Sequence, residues 1–292
     1  MDIYLGNLFR PPSEAYSVIL QVTNGCSHNK CTFCGMYKDK RFVIRPLREI
    51  KEIINFFQRK FPYAEKIFLA DGDALSAPTE YLQEVLTLLK DAFPNLKQIS
   101  SYAGPKSLLN KTDEELKQLQ NSGLTLLYLG LESGFDVVLK KVQKGYTANE
   151  IVSACDKAKK AGFKLSLTVI TGLGGKEYWQ EHALESAKAV SLINPEYLAT
   201  LTLMLVPGTK LFQDALDGLF FPLTTREILQ ELRLFISKLN LNHTVYRSNH
   251  ASNYLILKGT LNEDRDQLLK ILNEAINNEG FFNLRPEYLR RL

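Results

Sequence analysis

Short runs rich in β-branched and apolar residues alternate along the chain with longer segments of amphipathic, helical spacing. That alternation predicts βα units around a parallel sheet. The strands expected are Tyr16–Thr23, Lys66–Ala70, Lys97–Tyr102, Thr125–Leu131, Lys164–Thr171 and Tyr197–Leu205. Helices are expected over Leu47–Lys60 after Pro46, over Glu80–Phe93 after the turn Ala77-Pro78-Thr79, from a Thr112 cap to Asn121, and from a Thr147 cap to Ala161. Thr112 with Glu115, and Thr147 with Glu150, have the Thr-x-x-Glu spacing in which hydroxyl and carboxylate reciprocally satisfy the first backbone N–H groups. Gly123 and Gly162 then stand where helices commonly stop. Two further helices, near Lys176–Leu192 and Thr225–Leu239, complete the array.

No repeat, low-complexity tract or Pro/Ser-rich linker breaks the pattern. The expected organisation is an N-terminal segment, 1–15, a main α/β domain, 16–217, and a C-terminal α/β extension, 218–292. A turn follows each strand: the cysteine-bearing stretch after the first, Asp71-Gly72-Asp73 after the second, Ala103-Gly104-Pro105, Glu132-Ser133-Gly134, Gly172-Leu173-Gly174-Gly175 and Pro207-Gly208-Thr209. In parallel α/β folds such loops share the rim at the carboxyl ends of the strands, where sites form because rigid strands fix converging loops.

Composition narrows the class. With 292 residues, 45% of them hydrophobic, the chain can bury a full core. No apolar stretch approaches the ~20 residues a membrane span needs, and no leader pattern opens the chain, so a cytoplasmic protein is expected. A net charge of +4 without a long basic block gives no strong nucleic-acid signal.

The cysteines carry the chemistry. Three of the four, Cys26, Cys31 and Cys34, fall within nine residues of "TNGCSHNKCTFCGMY". Such clustering points to metal or redox chemistry, not a disulfide framework. Three thiolates do not close a four-coordinate site, and soft sulfur favours zinc or iron–sulfur. The fourth ligand could be a histidine for zinc (His28, His182, His243 or His250), a fourth cysteine in an electron carrier, or an exogenous molecule on an open iron. Cys155 lies mid-helix, over 120 residues away, where packing explains it better.

The cysteine loop, with Phe33 before its third cysteine and a strand before it, resembles the cluster loop of the radical SAM superfamily. The spacing is four residues and then two, against the family's usual three and two. "FLADGDAL" resembles the family's second-strand glycine motif. "LGLESGFDVVLKKVQKGYT" and "AGFKLSLTVITGLGG" resemble the fourth and fifth strands of the branch containing oxygen-independent coproporphyrinogen oxidase and the tRNA-modifying elongator and methylthiotransferase enzymes. The resemblance spans roughly residues 15–210 and implies a partial (β/α)6 barrel. It further implies a [4Fe-4S] cluster on Cys26, Cys31 and Cys34, and an open iron that binds S-adenosylmethionine (SAM). One-electron cleavage would then yield a 5′-deoxyadenosyl radical that abstracts a substrate hydrogen, in an oxidoreductase or transferase reaction. By the same resemblance Phe33 borders the adenine, Gly72 and Asp73 lie by the methionyl amine, and Glu132 and Ser133 reach the ribose or methionyl end. Lys144 stands where relatives often place an arginine against the SAM carboxylate, while Ile170 and Gly172 approach the adenine. Relatives of coproporphyrinogen oxidase also include non-catalytic haem-trafficking proteins.

Beyond Leu205 the resemblance fades. "VYRSNHASNYLILKG" sets Arg247, Ser248, Asn249, His250, Ser252 and Asn253 between two strand-like apolar runs. Arg247, Asn249 and His250 are the expected contacts to a substrate that no motif identifies. The run Lys38-Asp39-Lys40-Arg41 is expected as a solvated face, suited to docking an acidic flavodoxin- or ferredoxin-type electron donor.

Overall fold

A computed structural model describes residues 2–278 and 282–291. Among them the strands are β1 Val18–Gln21, β2 Thr23–Asn24, β3 Val43–Ile44, β4 Lys66–Ala70, β5 Gln98–Tyr102, β6 Leu124–Glu132, β7 Lys164–Thr171, β8 Tyr197–Thr202, β9 Thr244–Arg247 and β10 Lys258–Leu261. The helices are α1 Leu47–Lys60, α2 Thr79–Ala92, α3 Pro105–Asn110, α4 Asp113–Asn121, α5 Asp136–Lys141, α6 Ala148–Lys160, α7 Gly175–Ile193, α8 Lys210–Leu216, α9 Thr225–Lys238 and α10 Arg265–Asn277. The class is α/β with a mostly parallel sheet, as the alternating pattern predicts.

The chain divides into two compact units. The first comprises Met1–Asn29, Met36–Leu129 and Ser153–Leu165. In it β1, β4, β5 and β6 lie side by side and parallel, with Val18 opposite Ile67, Lys66 opposite Gln98 and Tyr102 opposite Tyr128. Ile67, Phe68, Leu69 and Ala70 have no exposed surface, as a parallel strand covered on both faces requires. The expected first strand, Tyr16–Thr23, breaks at Val22. Thr23–Asn24 leaves the sheet and pairs antiparallel with Val43–Ile44, so the chain carrying the cysteines departs from and returns to one short ribbon.

The second unit comprises Lys30–Gly35, Gly130–Val152 and Ser166–Leu292. Here β7, β8 and β9 are parallel and β10 closes the edge antiparallel to β9. The sixth expected strand, Tyr197–Leu205, ends earlier, at Thr202; beyond it only the N–H of Leu203 still reaches β7, at Thr171. Both expected capping boxes form, Thr112 with Glu115 and Thr147 with Glu150, and Thr224 with Glu227 adds a third. Gly123 and Gly162, at φ +106° and +95°, take the left-handed conformation that lets the chain leave a helix without a Cβ clash. Helices α3, α5 and α8 are six or seven residues long, too short for helical periodicity to reveal.

Candidate active site

In the first unit, the cysteine loop opens at Gly25, whose φ of +78° suits a residue without Cβ. Cys26 follows, half-buried, with a free thiol. Gly72, just after β4, packs so closely that a Cβ there would stand 2.8 Å from the Cys26 Cβ and 2.8 Å from the Tyr37 ring. Any side chain at 72 would displace the loop.

Asp73 is buried, and its carboxylate is fully engaged by protein donors. Oδ2 accepts from Ser27 Oγ at 2.5 Å; Oδ1 accepts from the Gly104 N–H at 2.9 Å and Ser107 Oγ at 2.8 Å. Burial raises its pKa, and these hydrogen bonds act against the rise. Asp73 therefore ties the cysteine loop to the turn after β5.

Asp71, two residues before it, has no exposed surface. Its Oδ2 accepts from the Gly25 N–H at 3.1 Å and from Lys40 Nζ at 2.9 Å. Lys40 thus departs from the expectation for the run 38–41. It is buried and ion-paired, while Lys38, Asp39 and Arg41 remain exposed. A pair buried in this way holds its lysine out of any docking face.

In the second unit, Cys31 and Cys34 are also half-buried and form no disulfide. The backbone around them is pinned on both sides: the Thr32 N–H donates to Val142 at the end of α5, and the Leu211 N–H in α8 donates to Thr32. Phe33 packs onto an apolar cluster of Val138, Val142, Ile170, Leu173 and Leu211, which brings the expected adenine neighbours Phe33 and Ile170 into one patch. Among the described residues no three His, Cys, Asp or Glu side chains are gathered as a closed metal site. Taken unit by unit, Cys26 with the side-chain-free Gly72 beside it, and Cys31 and Cys34 on their braced segment, are half-buried, disulfide-free cysteines, soft donors of the kind an iron–sulfur group takes.

Glu132 ends β6 with φ +61°, and its Oε1 meets Lys144 Nζ at 2.9 Å, both side chains largely buried. Ser133 adjoins a network that sequence reasoning missed. Its Oγ lies 2.8 Å from His182 Nδ1, while His182 Nε2 lies 3.0 Å from the Ile170 carbonyl. A carbonyl only accepts, so Nε2 carries the hydrogen and Nδ1 accepts from Ser133. Burial pushes the His182 pKa down to about 4, keeping the ring neutral. With both ring nitrogens engaged, His182 is not a spare zinc ligand.

Glu231, fully buried on α9, accepts the Gly172 N–H at 2.8 Å, and burial pushes its pKa up to about 8. A signal was present. Glu231 stands on the same helix face as Ile228, Leu232 and Phe235, all buried, where a carboxylate is out of place.

The C-terminal residues are placed less simply. Arg247 and Asn249 are exposed. His250 is half-buried, and its Nδ1 accepts the Ser252 N–H at 3.1 Å. Asn253 is stitched to β8 through Thr200 and Thr202, and Arg285 and Arg290 from the chain's end hold the carbonyls of His250, Ser252 and Asn253. Ser252 and Asn253 therefore build the segment. Cys155, buried with its pKa pushed up to about 12 by desolvation, remains a thiol packed in α6.

Comparison with known proteins sets this geometry in a family. The chain is 27% identical over 219 residues to an uncharacterised protein of Methanocaldococcus jannaschii, covering 72% of this chain and 66% of that one. It is 23% identical over 193 residues to the haem chaperone HemW of Bacillus subtilis, covering 63% and 49%. The chain thus spans less than two thirds of either relative. Coproporphyrinogen III oxidase from Escherichia coli superposes with a TM-score of 0.55 at 17% identity, over 76% of this chain and 52% of that one, which places the fold among radical SAM partial barrels. The model of the radical SAM superfamily matches residues 20–187, more than half the chain, from the end of the first strand through the helix carrying His182. Enclosing the three-cysteine loop, the Gly72 turn and the Glu132 strand end in one match, it establishes that the chain belongs to the radical SAM superfamily, enzymes that use a [4Fe-4S] cluster and SAM.

Proposed function

We propose that Cys26, Cys31 and Cys34 hold the cluster, that residues of the strand-end loops hold SAM, and that the polar segment 247–253 meets a substrate still to be identified. When bound, the cluster supplies the electron that cleaves SAM reductively and yields the hydrogen-abstracting 5′-deoxyadenosyl radical. The observation that supports the reading is the close approach of Gly72 to the Cβ of Cys26, which sets the second-strand glycine turn beside the first cysteine. Phe33 and Ile170 supply an apolar face for the adenine. Glu132 and Lys144 offer one charge of each sign to the ribose and methionyl carboxylate. Because both oxygens of Asp73 are engaged, its contribution to the methionyl amine would come from backbone. Arg247, Asn249 and His250 would orient substrate and exclude water. Lys38 and Arg41 leave a reduced basic face for an acidic electron donor.

Anaerobic reconstitution tests the proposal. Iron and sulfide near four each per chain, a reduced-cluster spectrum that shifts on adding SAM, and 5′-deoxyadenosine formation are expected. Bound zinc, or a cluster indifferent to SAM, would overturn it. The match to a haem chaperone supports a second reading, haem trafficking, which predicts a haem spectrum on titration and little SAM cleavage.

A further inference from the structure

Gly25 precedes the first cysteine and Lys40 follows the last, so the three thiols lie in the chain between two residues that one carboxylate holds. Asp71 Oδ2 takes the Gly25 N–H at 3.1 Å, Lys40 Nζ at 2.9 Å and Gln21 Nε2 at 3.3 Å. The Asp71 N–H in turn donates to Thr23 Oγ1 at 3.2 Å, fixing the carboxylate's own backbone to the strand that leads into the loop. Lys40 also donates to the Asn7 carbonyl and sits 5.6 Å from the centre of the Tyr37 ring, the ring that touches Gly72. A Cβ on Gly25 would meet the Arg41 backbone at 3.3 Å, so the two ends of the loop are in contact. Asp71 and Lys40 are 0% and 8% exposed, so the ion pair between them is a buried one, with Asp71 Oδ2 carrying the hydrogen bonds described above.

From this geometry we infer that the Asp71–Lys40 ion pair is the clasp at the neck of the cysteine loop, and that both are positioning residues for cluster retention. The inference rests on the functional reading above. It assigns the pair a task that a solvated lysine run could not perform. A carboxylate shared between the residue before Cys26 and a lysine beyond Cys34 keeps the neck from opening, and an opened neck would let the Cys26 thiolate swing from the metal. The ε-ammonium is suited to this task because separate N–H groups reach Oδ2 and a backbone carbonyl while its charge lies over the face of the Tyr37 ring.

The test uses the full chain with Lys40→Met, Asp71→Asn, Lys40→Arg and the double variant Lys40→Met/Asp71→Asn. Two readouts are taken: loss of cluster absorbance under an iron chelator, and alkylation rates of Cys26 and Cys155 in the metal-free protein, resolved by mass spectrometry. Both single variants should bleach at least about tenfold faster than wild type and alkylate Cys26 faster, with Cys155 unchanged; Lys40→Arg should recover part of the loss. A purely structural pair would lower thermal stability and leave both rates at wild-type values in folded protein, which would overturn the inference. If either single variant fails to fold, the double variant, free of a stranded charge, decides on the same criteria. Should wild type assemble no cluster, the functional reading fails, and Cys26 alkylation in the metal-free variants still reads the clasp.

Discussion

Lys144 Nζ meets Glu132 Oε1 at 2.9 Å directly above Gly130, where an added Cβ would stand 1.8 Å from that same oxygen. The absence of a side chain at 130 is therefore what lets the carboxylate fold back over its own strand to reach the lysine. Gly130→Ala should expel the carboxylate and weaken SAM binding about tenfold or more while both charged residues remain, a change of roughly 1.4 kcal/mol or above. Glu132→Ala should weaken it as much, and should also destabilise the fold by removing the carboxylate paired with a largely buried lysine. Equilibrium SAM binding to the reconstituted protein, read beside thermal midpoints, checks this. Unchanged affinity in Gly130→Ala would remove Glu132 from the SAM site.

Much of this arrangement was legible before any coordinate. Alternating β-branched and amphipathic segments located the first six parallel strands because buried parallel strands and long helices leave strong local signatures. The cysteine spacing and its strand-end position marked the candidate cluster loop, which lies within the family match. Lys40 was not legible. In sequence it is one of four consecutive charged residues, and its burial depends on Asp71, over thirty positions away. His182 read as an optional metal ligand because the chain does not reveal that Ser133 and the Ile170 carbonyl occupy both its ring nitrogens. The short helices α5 and α8, which brace Thr32 through Val142 and Leu211, were invisible because fewer than two turns of helix leave no periodicity to detect.

The four cysteines should separate cleanly. Alanine at Cys26, Cys31 or Cys34 removes a thiolate that the proposed cluster requires and should abolish the SAM-responsive cluster. Cys155→Ala removes one small buried group from α6 and should cost about 1 kcal/mol of stability, with full iron content. Iron analysis and 5′-deoxyadenosine formation report the outcome. A cluster lost in Cys155→Ala and kept in one of the other three would reverse the ligand assignment.

Glu231 should make stability depend on pH. Its carboxyl ionises near 4.5 when unfolded and near about 8 when buried, so between those values the folded chain holds a proton the unfolded chain has released. Stability from this group is full below 4.5 and is lost as pH rises through about 8. His182 works in the opposite direction. Lowered from 6.5 to about 4, it contributes fully above 6.5 and loses that contribution as pH falls toward 4. Glu231→Gln, a neutral near-isostere that can still accept the Gly172 N–H, should match wild type near pH 4.5, where the carboxyl is protonated in the folded chain and in much of the unfolded chain. Near pH 8.5 it should melt about 3–6 °C higher, the shift roughly 1–2 kcal/mol produces in a domain of this size. Thermal scans at both values check this, and parallel curves for the two proteins would mean that Glu231 ionises normally.

Substrate contacts should separate from cofactor contacts in the C-terminal segment. Arg247 and Asn249 are exposed, whereas Ser252, Asn253, Arg285 and Arg290 are tied into backbone hydrogen bonds that shape the segment. Truncating Arg247 or Asn249 to alanine therefore removes polar groups without unpicking the fold. Each should leave iron content, SAM affinity and substrate-free 5′-deoxyadenosine formation within about twofold of wild type, surface substitutions usually costing under ~0.5 kcal/mol. Turnover of the substrate, once identified, should fall tenfold or more, because a polar group aimed at a reacting molecule contributes orientation and charge stabilisation. His250→Ala should show the same division with a modest stability loss, since its Nδ1 accepts the Ser252 N–H and its carbonyl is held by Arg285. Arg290→Met is the structural control: it frees the carbonyls of Ser252 and Leu203 together and should lower the thermal midpoint as well as turnover. If His250→Ala abolished SAM binding in a folded, cluster-loaded protein while Glu132→Ala preserved it, the segment would belong to the cofactor site and the assignment of substrate contacts to it would fall.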